Sequence, residues 1–88
     1  MDKSQFLQVL EAVVSGFEDA EFRAAMAKAQ ATGDVGQLME LPLGVQQRAF
    51  AAAGLDAASG AAAFKAAGKQ FGADADVAPL LARMKAAL

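Results

Sequence analysis

The stretch MELPLGVQQRAF, residues 39–50, decides how many helices the middle of this chain contains. A proline inside a helix leaves the carbonyl four residues back, here that of Leu38, without its N–H donor and costs about 3 kcal/mol. Pro42 and Gly44 together therefore invite a break into two helices. Against a break, Leu38 and Met39 before the proline share an apolar face with Val45, Ala49 and Phe50 after it. No polar turn residues intervene, and the flanking signals lie farther out. Asp34 precedes the segment as an N-cap with Gln37 at the capping-box position, and Gly54 follows it. The pattern predicts one helix from about Val35 to Ala53, kinked at Pro42, with Gly44 easing the bend. Its inward residues are expected to be Val35, Leu38, Met39, Pro42, Val45, Ala49 and Phe50.

Outward from this segment the same grammar repeats. A first helix is expected from about Lys3 to Phe17, capped by Asp2 with Gln5 three residues on. Its apolar stripe, Phe6, Leu7, Val9, Leu10, Val13, Val14 and Phe17, is dense enough to make it the centre of the core. A second helix runs from about Asp19 to Ala31, with Phe22, Ala25, Met26 and Ala29 inward, and ends at Thr32-Gly33. A fourth, capped by Asp56 or Ser59, turns Phe64, Ala67 and Phe71 inward and ends at Gly72. Gly60, Gly68 and Gly72 would let it approach its neighbours closely. A last helix is expected from Val77 to Leu88, with Pro79 in its first turn, where a missing N–H is harmless. Val77, Leu80, Leu81, Met84 and Leu88 form its stripe. The connections are short, so sequence neighbours should pack mostly antiparallel. The fold class expected is all-α: one domain over residues 1–88, a compact bundle of about five short-to-medium helices.

Composition narrows the chemistry. The chain has 88 residues and is 56% hydrophobic. However, 24 of those residues are alanine, and each buried methyl adds only about 0.8 kcal/mol. The 25 remaining Val, Leu, Met and Phe residues suffice for one modest core, so help from self-association into a homodimer is a reasonable expectation. Cys, His, Trp and Tyr are all missing. Without His or Cys the usual general base, the nucleophile–base pairs and the zinc ligand sets cannot be assembled. Ser4, Ser15, Thr32 and Ser59 read as caps or solvated side chains. Asp74 and Asp76 begin a D-x-D calcium pattern, but Val77, Ala78, Pro79 and Leu80 follow where further ligands belong. They read instead as helix-capping acids, as do Glu18, Asp19 and Glu21 at the start of the second helix. Gly68-Lys69 lacks the rest of a phosphate-binding loop. No catalytic residue, metal or cofactor is therefore expected.

Net charge is −2, and the basic residues are spread singly, which gives nucleic acid or an anionic membrane little to hold. No apolar run is long enough to span a bilayer, and MDKSQF does not read as a signal peptide. A cytoplasmic location is expected. The residues that could meet a protein partner are Pro42, Gln46, Gln47 and Arg48, presented by the bend, with Lys65 and Lys69 four apart on the fourth helix.

The order of these features adds a resemblance. FLQVLEAVVSGF is followed by MAKAQATGDVGQLMELPLGVQQ with Pro42 and the pair Gln46-Gln47. Gly54 comes next, then GAAAFKAAGKQF with Gly60, Phe64, Lys69 and Phe71. The closing DADVAPLLARMKAAL carries Asp74, Val77, Ala78, Leu80, Lys85 and Ala86. In this collinear set the chain resembles the protein C-ten family, small eukaryotic helical proteins of poorly defined function. It departs from that family in lacking a proline-rich tail and in carrying the alanine run Ala51–Ala53. The resemblance implies a cytosolic, non-catalytic protein that works through protein contacts, in a family linked to brain development in vertebrates. The alternative is a carrier of a small apolar ligand or lipid, with Phe6, Phe17, Phe22, Met26 and Phe50 lining a space between helices.

Overall fold

The computed structural model describes residues 1–87 and is all-α. The helices are α1 (Lys3–Glu18), α2 (Ala20–Thr32), α3 (Val35–Ala52), α4 (Ala57–Phe71) and α5 (Ala78–Ala87), and no strand occurs among the described residues. Leu88, expected to close the last apolar stripe, lies outside them.

Each of the first four helices starts where an aspartate can accept orphan backbone N–H groups. Asp2 accepts from Gln5 N at 2.8 Å, Asp34 from Gln37 N at 3.1 Å, and Asp56 from Ala58 N and Ser59 N, both at 3.2 Å. Asp19 alone separates α1 from α2 and accepts from Glu21 N and Phe22 N. Glycines close two of the helices with left-handed backbone, Gly33 at φ 70° and Gly54 at φ 76°. After Gly54 the Leu55 N–H returns to the Phe50 carbonyl at 2.8 Å, and the Leu55 side chain packs on the core.

α3 runs unbroken through Pro42, so the middle of the chain is one helix. The first helix is the centre of the core, as its stripe predicts: Phe6, Val9, Leu10, Val13, Val14 and Phe17 are all buried. One half of the core joins Val9, Val13 and Phe17 to Phe22 of α2 and to Val45, Ala49 and Phe50 of α3. The other half joins Phe6, Leu10 and Val14 to Ala67 of α4 and to Val77. Phe64 and Met84 pack against both.

Two close approaches set the spacing. A Cβ on Gly16 would lie 2.5 Å from Val45 Cγ1, so α1 and α3 meet at a distance only glycine permits. A Cβ on Gly60 would lie 3.1 Å from Phe50 Cγ, which seats α4 on the end of α3. Gly68 has no such neighbour within 4 Å, so the packing role expected of it does not exist.

The last helix docks on the first. Lys3, at the start of α1, bonds Asp74 and Asp76 just ahead of α5, whereas Glu18, at the end of α1, bonds Arg83 within α5. α5 therefore lies parallel to α1. No residue of α5 is fully buried; its Leu80, Leu81 and Met84 are half-covered. The acids near it are consequently more than caps. Asp74 accepts the Asp76 N–H at 2.9 Å, but its carboxylate also holds Lys3 at 2.8 Å. Glu18 ends α1 instead of opening α2.

Candidate functional site: the outer face of α3

Among the described residues, the exposed large hydrophobic side chains all belong to α3. Val45, Ala49 and Phe50 are buried and Leu38, Leu41 and Pro42 are half-covered, as expected of an inward face. Val35 and Met39, predicted to face inward, do not. They are 65% and 71% exposed, and Leu43 is 50% exposed. The cause is helical phase. Steps of four residues at 3.6 per turn drift by only ~40°, so residues 35, 39 and 43 form a line of their own. That line is rotated well away from Leu38, Val45 and Ala49, which meet α1.

The line has a definite end. Phe50 lies eleven residues beyond Met39, within ~20° of the same direction. There α4 covers it, with Gly60 beneath the ring and Phe64 at a centroid distance of 5.7 Å. Gln46, half-covered, falls on the line between Leu43 and Phe50. The apolar face of α3 thus continues from a covered C-terminal end to an uncovered N-terminal half, Val35 to Leu43. Glu40 is the only charged residue between Val35 and Gln47.

The opposite edge of α3 borders a cleft of about 520 Å³ shared with α2 and the end of α1. Phe22, Ala25 and Leu41 give it an apolar floor, and Asp19, Glu21, Glu40 and Arg48 stand around it. The Arg48 guanidinium lies near Gly44, where a Cβ would be 3.7 Å from its Nη1. Asp19 is committed to two backbone N–H groups. Glu21 and Glu40 are exposed to water.

The residues proposed from sequence are thus divided. Pro42 and Gln46 are half-covered and Gln47 and Arg48 exposed, and Arg48 turns to the cleft while Gln46 lies on the apolar line. Lys65 and Lys69 are exposed on α4, and no hydrogen bond or ion pair among the described residues joins them to the α3 group. Sequence reasoning missed Leu43 altogether and misplaced Val35 and Met39. The i, i+4, i+8 spacing of the three was the available signal.

The remaining polar chemistry is structural. Lys3 sits between Asp74 and Asp76, whose carboxylates raise its pKa, while the Lys3 ammonium and then the Asp76 N–H hold Asp74 below the ordinary carboxylate range. Arg83 donates two hydrogen bonds to Glu18, Nε to Oε2 at 3.3 Å, which lowers the Glu18 pKa and raises that of Arg83. Among the described residues no group of three or more potential ligands could hold a metal. The phenylalanines of the carrier alternative lie ring against ring: Phe17–Phe22 at 5.2 Å and Phe6–Phe64 at 5.2 Å. Phe6, Phe17 and Phe50 are at most 1% exposed.

Comparison with protein-family models, curated proteins and solved structures returns no match. The resemblance to the protein C-ten family therefore rests on the collinear residues quoted above alone. No helix among the described residues is long and apolar enough to cross a membrane.

Proposed function

We propose that this chain is a non-catalytic, cytoplasmic protein-interaction module that binds through the outer face of α3. One observation carries the reading: Val35, Met39 and Leu43 form a helical stripe that the chain's own core leaves uncovered. Exposed apolar residues scattered singly need no explanation, but three in register on one helix match the anchors of a helix-in-groove or helix-on-helix contact. Gln46 and Gln47 then stand at the rim of the contact, where uncharged hydrogen-bonding groups suit an apolar centre.

Met39→Glu tests the reading. Because Met39 is 71% exposed, the substitution should leave helix content and melting temperature unchanged. Chemical cross-linking at physiological concentration should trap a partner, either this chain or another, with the parent protein, and lose it with Met39→Glu. Equal trapping by both proteins contradicts the proposal, as does no trapping by either.

A further inference from the structure

We propose that α5 is a releasable strap: its root at Val77 stays seated while its tip, latched through Arg83 to Glu18 of α1, lifts and uncovers Val14. This device is independent of the α3 face and of what binds there.

The helices are joined unequally. α1, α2, α3 and α4 each pack on at least two others, whereas α5 packs chiefly on α1. α5 can therefore leave without parting any other pair. It has ten described residues, and a helix of that length is marginal in water unless packing supports it. None of them is fully buried. Leu80, Leu81 and Met84 lie half-covered on the part of the core built from Phe6, Leu10, Val14, Ala67 and Val77. A segment that buries so little apolar surface opens more easily than the whole chain unfolds.

The two ends of α5 are held differently. At the root, Val77 is fully buried, and Asp74 and Asp76 both engage Lys3. The Leu81 N–H donates to the Val77 carbonyl at 3.0 Å, which ties the first turn of α5 to that anchor. Toward the tip, the polar hold on α1 is the Arg83–Glu18 pair, with side chains 56% and 40% exposed. A pair so open to water is screened by salt and contributes little to holding the helix down. Glu11 also attracts Arg83, at longer range than Glu18. Arg23 of α2 attracts Glu18 in turn, so that carboxylate keeps a cation nearby when Arg83 lets go. Val14 stands one turn before Glu18 on α1, beside the latch. Lifting the tip therefore uncovers Val14 while Val77 and the root remain in place.

The chain contains no cysteine, so a single introduced thiol reports this opening without background. Val14→Cys places it under α5, and Val45→Cys places it in the seam between α1 and α3. In the closed fold Val14 is 1% exposed and Val45 5% exposed, so static exposure favours the control. Iodoacetamide should nevertheless alkylate Val14→Cys several-fold faster than Val45→Cys. Adding Glu18→Gln, or raising sodium chloride to ~1 M, where the screening length falls to ~3 Å, should speed Val14→Cys several-fold further. Neither change should move the Val45→Cys rate. Circular dichroism identical to the parent confirms that each variant is folded. Should Val14→Cys not fold, amide exchange of the parent chain replaces it, with residues 82–87 expected to exchange several-fold faster than α1. Equal labelling of the two thiols, or equal exchange of α5 and α1, overturns the strap. Acceleration of both thiols alike by Glu18→Gln overturns it too, since that is loosening of the whole fold. A Val14→Cys rate indifferent to Glu18→Gln and to salt overturns the latch.

Discussion

At the residue scale, the packing of this small chain turns on where glycine stands and where alanine could replace it. Gly16 faces Val45 Cγ1, at 2.5 Å from an added Cβ, and both are fixed by the buried seam between α1 and α3. Gly16→Ala should destabilise the fold by about 1–3 kcal/mol, the usual cost of forcing a methyl into a packed core. Gly68 is in mid-helix with nothing within 4 Å, so Gly68→Ala should stabilise it by about 0.5–1 kcal/mol through helix propensity. Chemical denaturation of the two variants checks the contrast, and equal effects of one sign would refute it. The sequence held half of this. Glycine at helix ends was legible because Gly33 and Gly54 each follow the last residues of a helical pattern, and both adopt positive φ. Gly16 was not, because contact between α1 and α3 depends on how the helices cross and leaves no trace in local spacing.

At the element scale, α3 and α5 show where pattern and packing part. The continuity of α3 through Pro42 was readable, since apolar residues on both sides share a phase and the caps lie outside them. The proline still leaves one helical bond unmade, so Pro42→Ala should raise stability by about 1–3 kcal/mol without changing the helix count. Thermal denaturation would detect this as a rise of several degrees. What could not be read was that one apolar helix carries two faces. Val35, Met39 and Leu43 obey helical spacing as well as Leu38, Val45 and Ala49 do, and only the placement of α1 and α4 decides which line is covered. The choice of α1 as the partner of α5 was hidden for a related reason: its ion partners, Lys3 with Asp74 and Asp76, and Glu18 with Arg83, are more than sixty residues apart. Glu18 and Asp74 have lowered pKa values in the folded chain, so they bind protons less readily folded than unfolded. Their contribution is present above the ordinary carboxylate range and is lost as pH falls through and below roughly 4. Lys3 and Arg83 are raised, so their share fades only in strong alkali. Amide hydrogen exchange should show α5 loosening before α1–α3 on acidification or at high salt. Asp74→Asn should remove part of the acid dependence, and an unchanged acid limb would refute the role given to that pair.

At the scale of the whole molecule, a thin core and an uncovered stripe belong together. An alanine-rich chain buries few large side chains, and its largest fully buried ones are three phenylalanines, a leucine and four valines. Association that covers Val35, Met39 and Leu43 extends that core at no cost in buried charge. The interaction face itself emerged only from the folded arrangement. The most direct measurement is chemical cross-linking of the parent protein and of Met39→Glu side by side at physiological concentration. The account predicts a partner trapped by the parent protein and lost with Met39→Glu. Equal trapping by both, or none by either, would contradict it.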